Sequence, residues 1–404
     1  MKALLSSDGV LEFETRTQIW LFDGVLVLLG LFLTSYSRWD PSMVDALRYA
    51  LGNYPNTTLL VIACVSTVAF WFSAEVLFCF LNQRRTGDRA VFEQQVEGGT
   101  AGKGAAVGYQ KDALLGYKPS PNVRLISKLT FKGRRIFEFS SSTDEHSRRI
   151  TPVQTVGEID KFILFFGCSF TFGEGVQNDE TLPFFVGQLA SRYQPYNYGV
   201  NGYGPQQMVA KLQRGEIRTE IKQSEGEGVL VYTFIDDHIH RAIGSQHVVT
   251  QNWGRYMPYY ALNSKGDLER RGDFVSGRPG LALLFWLLGK SEIANYFRIG
   301  VHPMVADDDF RLVAQMFVES RNAFSRLFNS DKFFVLIFPG SVWGDRLIPH
   351  LQKNGVQYFD YSALFDPSQA GLSVTGDPHP TPKAYRIVAE RLARDLGILD
   401  TRTQ

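Results

Sequence analysis

Four stretches of this 404-residue chain hold side chains that could carry out covalent or acid–base chemistry. In FFGCSFTFGEGV, residues 165–176, an apolar run ends at Gly167-Cys168-Ser169 and glycines return at 173 and 175. A serine on a strand-to-helix turn exposes its hydroxyl while backbone N–H groups point into the same space, which suits a nucleophile; the plain alternative is an ordinary turn serine. Far downstream, Asp377 and His379 stand two residues apart just ahead of a helical stretch. Such a pair supplies an imidazole base and a carboxylate to orient it, although a capped turn has the same composition. GVNGYGPQQ, residues 199–207, is dense enough in glycine for backbone to approach a ligand, with Gly202 and Gly204 as candidate N–H donors. Asp236-Asp237-His238-Ile239-His240-Arg241 brings carboxylates and imidazoles close enough to consider a metal. Histidines in such a loop are more often hydrogen-bonded structural groups, and no metal is assigned.

These groups meet only if strands and helices bring them to one place. KFILFFG (161–167), GVLVYTFI (228–235) and KFFVLIFPG (332–340) have the length and two-sided apolarity of strands buried between helices, and YNYGV (196–200) and VQYFD (356–360) are weaker strands. Helical stretches separate them over Thr181–Tyr193, Pro205–Lys222, Asp307–Asn329, Gly344–Asn354 and Pro382–Leu396. The alternation predicts an α/β fold, a parallel sheet with helices on both faces, in which the serine, the glycine loop and the Asp236 segment each follow a strand. Upstream, two alternating stretches around Lys132-Gly133 read as a β-hairpin. A long insertion, about 242–303, interrupts the rhythm and is rich in aromatics, as expected of a lid or substrate wall.

The N-terminal part reads differently. Two apolar runs, about 17–36 and 58–81, carry one acid each, Asp23 and Glu75. Each is long enough to cross roughly 30 Å of hydrocarbon as a helix. They predict a two-helix transmembrane hairpin and so a membrane protein with two spans, in contact with a lipid bilayer. Residues 1–90 are then the anchor, 91–110 a polar linker and 111–400 the domain that carries the chemistry. A cleaved signal peptide fits the first run poorly, because no small-residue cleavage motif follows it and a second run comes soon after. Arg84, Arg85 and Arg89 favour a cytoplasmic side for the ends.

Composition excludes several classes. With 44% apolar and 21% charged residues the chain is that of a folded protein. Forty-two basic against forty-one acidic residues leave a formal charge of +1, which provides no field for a phosphate backbone, so nucleic acid is not an expected partner. Three cysteines, Cys64, Cys79 and Cys168, give no disulfide framework.

Taken in order, the four stretches resemble the sequence blocks of the SGNH hydrolases, also called GDSL-type esterases. Gly167-Cys168-Ser169-Phe170-Thr171-Phe172-Gly173 matches the first block, G-D-S-x-x-x-G, except for Cys168 in the aspartate position. GVNGYG is similar to the glycine block, and Asp377-Pro378-His379-Pro380-Thr381 to the final D-x-x-H-P-N block with the acid one residue closer to the histidine. Asp236-Asp237 stands where the family pattern has Asn-Asp. The resemblance covers roughly residues 114–396. It implies a three-layer α/β/α fold with a flavodoxin-like sheet, Ser169 as nucleophile, His379 as base and Asp377 as its orienting acid. It also implies an oxyanion hole from the N–H groups of Ser169 and Gly202 together with position 236, and no cofactor. An ionised Asp236 would oppose an oxyanion, so either it is protonated beside Asp237 and donates, or it turns away and His238 or a backbone N–H takes its place.

The expected activity is serine ester hydrolysis through an acyl-enzyme, removing acyl groups, acetyl foremost, from a carbohydrate or lipid-linked substrate. An O-acyltransferase on a surface polysaccharide would use the same triad with a sugar hydroxyl in place of water. A catalytically silent binding subunit is the reading the Asp236 departure favours. The family association places the domain outside the cytoplasm, against the arginine count, and the side stays open.

Overall fold

The structure, a computed structural model, describes residues 49, 52, 55–86, 90–97, 108–152, 158–223, 225–251, 253–297 and 305–399. The described residues divide into two compact units, one of 92–97, 108–152, 158–223, 225–251, 253–287 and 305–399, the other of 49, 52, 55–86, 90–91 and 288–297.

The first unit is organised by a five-stranded parallel sheet. Its strands are β1 (Lys161–Gly167), β2 (Tyr193–Gly199), β3 (Gly228–Phe234), β4 (Phe333–Ile337) and β5 (Gln357–Asp360), in spatial order 2-1-3-4-5. That is the flavodoxin-like order, and its switch point lies beside β1, where the chain runs to β2 on one side and β3 on the other. The apolar runs are buried on both faces because helices cover both. Phe162, Leu164 and Phe166 of β1 face one core with Leu230, Tyr232 and Ile337, whereas Ile163 and Phe165 face another with Val229, Val231 and Leu336. This is the two-residue alternation of a strand, so one sequence run feeds two cores.

Five helices close the layers: α1 (Leu182–Leu189), α2 (Pro205–Arg214), α3 (Asp307–Phe328), α4 (Gly344–Lys353) and α5 (Pro382–Asp395). Met208 and Leu212 of α2, Phe310 and Phe317 of α3 and Leu347 of α4 pack on the first face. Leu182 and Val186 of α1 and Val388 and Leu392 of α5 pack on the second. The expected three-layer α/β/α class therefore stands, with local differences. The helix expected over Thr181–Tyr193 stops at Leu189, because Tyr193 already opens β2. The one expected over Pro205–Lys222 breaks at Gly215, which ends α2 before the short helix Ile217–Glu220.

Lys132-Gly133 connects antiparallel strands Arg124–Phe131 and Arg134–Ser142, the expected hairpin. Residues expected as linker differ: Ala90–Glu97 is a strand beside Arg124–Phe131, where Gln94 donates to Ser127 Oγ at 3.1 Å and Phe92 packs on Phe137. Between 242 and 297 the chain folds as the helix Gln246–Val249, the hairpin of Pro258–Leu262 with Leu268–Asp273, and the helices Pro279–Lys290 and Glu292–Phe297.

In the second unit the helix Pro55–Thr86 contains the second apolar run. Glu75 interrupts that run, and its carboxylate accepts from Ser291 Oγ at 2.7 Å and from the Glu292 N–H at 2.6 Å, at the start of Glu292–Phe297. Asn82 donates to the Glu292 carbonyl at 3.0 Å, and Phe78 packs on Tyr296 and Phe297. Among the described residues no helix is long and apolar enough to cross a membrane. The expectation of a two-span membrane protein is corrected accordingly. Hydropathy counts apolar residues in a run, but here the run is punctuated by polar groups whose partners are protein. The first expected span, about 17–36, lies outside the described residues.

Candidate active site

The first candidate sits where β1 ends. Gly167 takes φ +148°, and a Cβ there would lie 2.3 Å from Thr171 Oγ1 and 3.0 Å from the Thr233 carbonyl, so only glycine fits between β1 and β3 at this turn. Cys168 is fully buried, and Ser169 opens a single helical turn, Ser169–Phe172. Arg149 anchors the segment that follows. Its guanidinium donates to the carbonyls of Phe172 at 2.8 Å and Val176 at 2.7 Å, to that of Gly173, and to Asn178 Oδ1 at 3.1 Å. Burial lowers the pKa of this arginine to about 10, still well above neutral pH, so it remains a cation.

His379 arrives from the loop before α5, 210 residues downstream of the serine, and its Nε2 lies 2.8 Å from Ser169 Oγ. The neighbouring carboxylate reaches the other ring nitrogen: Asp377 Oδ1 bonds His379 Nδ1 and also accepts the His379 backbone N–H at 2.9 Å. That second bond closes an Asx-type turn, which is how an acid only two residues before the histidine folds back onto the ring. The loop is held by the Val374 N–H on the His379 carbonyl and the Asp377 N–H on the Val374 carbonyl, each at 2.9 Å. Thr381 caps α5 by accepting from the Ala384 N–H.

Ser169, His379 and Asp377 are thus brought together. A further acid stands with them: Glu174 Oε2 lies 3.5 Å from His379 Nε2, on the nitrogen that faces Ser169. Sequence spacing alone did not single it out, although GEG in the first block displays it. Burial disfavours the His379 cation, but its hydrogen bond to Asp377 and the charges of Glu174 and Asp377 outweigh it, so the imidazole titrates above its usual range. Burial raises the Glu174 carboxyl above the ordinary carboxylate range, with His379 acting the other way. Burial would raise Asp377 too, but its bonds to His379 hold it below its ordinary value.

The glycine block leaves β2 along the same edge. The Val200 N–H bonds the Gly167 carbonyl at 3.2 Å, and Asn197 Nδ2 donates to the carbonyls of Thr171 and Phe172, which ties this loop to the serine turn. Gly202 has φ +82°; a Cβ would stand 2.5 Å from Tyr117 Oη and 3.0 Å from the Trp253 ring. Among the described residues, neither the Ser169 nor the Gly202 backbone N–H has a protein acceptor.

The Asp236 segment is dispersed. Asp236 accepts from Ser341 Oγ at 2.5 Å, from the Val342 N–H at 2.9 Å and from the Trp343 N–H at 3.2 Å, so its carboxylate is turned to the loop after β4. Asp237 faces Arg241 at 3.3 Å. His238 is fully buried with Nδ1 3.0 Å from Tyr232 Oη, and burial depresses its pKa well below the ordinary value. The His240 ring packs on His247 and Trp343. These side chains serve separate partners and do not converge.

No protein-family model and no curated protein matches the chain. Among solved structures, similar ones include a member of the lipolytic protein G-D-S-L family from Veillonella parvula, at 14% identity over 58% of this chain and 97% of that one, TM-score 0.33. An acetyl xylan esterase from Butyrivibrio proteoclasticus matches at 12% identity over 70% of this chain and 71% of its own, TM-score 0.35. A catalytic mutant of an acetylxylan esterase from Geobacillus stearothermophilus matches at 10% identity over 61% and 100%, TM-score 0.32. The 2-1-3-4-5 strand order, with the Ser169 turn, the Gly202 loop and the Asp236 segment following β1, β2 and β3 and His379 reaching Ser169 from ahead of α5, is an SGNH hydrolase-like fold.

Proposed function

We propose that this protein is a serine ester hydrolase that removes acetyl groups from a carbohydrate substrate through an acyl-enzyme. The observation that carries the reading is the 2.8 Å contact of Ser169 Oγ with His379 Nε2, with Asp377 on the opposite ring nitrogen. In the first half-reaction Nε2 takes the hydroxyl proton as Oγ forms a bond to the ester carbonyl carbon, and the carbonyl π pair moves onto oxygen. Collapse of the tetrahedral adduct breaks the bond to the alcohol, which leaves with the proton from Nε2. Water repeats the sequence on the acyl-enzyme and releases the acid. Asp377 holds the tautomer in which Nε2 is the acceptor and stabilises the imidazolium between the two proton transfers. The Ser169 and Gly202 N–H groups are the donors available to the oxyanion.

The carbohydrate half of the reading is supported by Trp253, 37% exposed, whose ring borders Gly202, and by Tyr256, 50% exposed, three residues on. An aromatic face beside an acyl site suits the apolar side of a sugar ring.

The test uses the full chain, a fluorophosphonate label and two substrates, a short aryl acetate and an acetylated oligosaccharide. Label is expected on Ser169, and Ser169→Ala should lose turnover of both substrates by at least about a thousandfold with folding intact. Turnover of the variant within about tenfold of wild type sinks the nucleophile assignment. Trp253→Ala should raise KM for the oligosaccharide and leave the aryl acetate nearly unchanged; equal effects on both discard the carbohydrate assignment. Acetyl transfer to an added oligosaccharide in place of acetate release would mark the enzyme as a transferase.

A further inference from the structure

Attack by Ser169 develops negative charge on the carbonyl oxygen, and an efficient site has groups aimed at that charge before it forms. On the proposed reading two backbone donors serve that charge, the N–H groups of Ser169 and Gly202, neither of which bonds a protein acceptor among the described residues. Position 236 contributes none, because its carboxylate is an acceptor for Ser341, Val342 and Trp343.

Five residues on, in the helix Asp237–Ile243, Arg241 enters the same region with its side chain only 11% exposed. Its Nη1 donates to the carbonyl of Tyr203 at 3.0 Å, the residue directly after Gly202. Its Cβ lies 3.0 Å from where a side chain on Gly204 would begin. Its charge also acts on Cys168, the residue directly before Ser169, and, at longer range, on His379. One side chain therefore bonds the chain next to Gly202 and places its charge within electrostatic reach of the Ser169 turn and of His379.

Resting on the reading of Ser169 as nucleophile, we infer that Arg241 is the positioning residue of the oxyanion site, holding the Gly202 loop against the Ser169 turn and setting a fixed positive charge behind the two N–H donors. The planar, multi-donor guanidinium can serve a carbonyl and a carboxylate at once, which an ammonium does poorly. Its carboxylate partner Asp237 has a side chain 61% exposed at 3.3 Å, so solvent weakens that pair, while the largely buried Glu174 carboxyl feels the same cation without bonding it. The departure at Asp236 is then offset: the amide donor is lost, and an arginine beside the Gly202 loop takes over its electrostatic role.

The experiment measures Arg241→Met and Arg241→Lys in the full chain, with aryl acetate kinetics and inhibition by phenylboronic acid, which forms a tetrahedral adduct on a reactive serine. Arg241→Met should lower kcat by about tenfold to a hundredfold, below the full cost of losing a direct oxyanion donor. KM should stay within about threefold, boronate affinity should fall by a factor similar to kcat, and Arg241→Lys should recover part of both. A kcat within about threefold of wild type, or equal losses in KM and boronate affinity, overturns the inference. Loss of a cooperative thermal transition in both variants also overturns it, since Arg241 would then belong to the fold and not to the hole. Wild-type protein without Ser169-dependent turnover would instead remove the hydrolase reading itself.

Discussion

Glu174 Oε2 lies 3.5 Å from Nε2 of His379, so the imidazole stands between two carboxylates, Asp377 on one nitrogen and Glu174 beside the other. The groups that face the ring are these two acids, Ser169 Oγ, the Phe170 ring and, at longer range, the Arg241 cation. On the proposed mechanism His379 works as base only when neutral, so the rate should fall as pH drops through its pKa, which lies above the ordinary 6.5. Glu174 raises that pKa. Glu174→Gln should therefore move the acidic limb of kcat/KM to lower pH and retain activity where wild type loses it. The alkaline plateau should change far less than the roughly 10²–10⁴-fold cost of removing the base. A pH–rate profile decides the matter: an unmoved limb, or one displaced upward, would show that Glu174 does not act on His379.

Gly202→Ala should be costly for two separate reasons. Its φ of +82° is in the left-handed region, and the added methyl would stand 2.5 Å from Tyr117 Oη and 3.0 Å from the Trp253 ring. Strain of this kind costs about 1–3 kcal/mol, visible as a lower Tm. Displacing the N–H from the oxyanion should cost a further hundredfold to thousandfold, roughly, in kcat. If kcat were unchanged while Tm fell, the Gly202 N–H would not be a donor to the reaction.

Asp236→Asn separates a structural from a chemical role at that position. The carboxylate accepts three hydrogen bonds from residues 341–343, and an amide can match only part of that set. Stability should drop by about 1–3 kcal/mol, read from denaturant or thermal unfolding, with the shape of the pH–rate profile unaltered. A rise in rate together with loss of an alkaline decline would mean that Asp236 does reach the oxyanion as a protonated donor.

What the sequence determined was whatever neighbouring residues decide among themselves. The strands are legible because a run such as Phe162–Phe166 must be apolar on both faces when helices cover both, and the parallel sheet follows from the alternation. Gly167-Cys168-Ser169 marks a turn because glycine alone fits there, and Asp377 meets His379 through a turn only two residues long. Tertiary structure decided what depends on groups far apart in the chain. Asp236 is turned away by donors 105 to 107 residues downstream, and nothing in its own segment encodes that choice. Glu174 acquires its role only when the loop before α5 brings His379 over it, and Arg241 only when its helix packs against the Gly202 loop. The apolar run at 58–81 reads as a membrane span because hydropathy sums side chains one by one. Glu75 finds its partners at Ser291 and Glu292, over 200 residues away, and a sum along the chain cannot register a polar group that is satisfied by a distant helix.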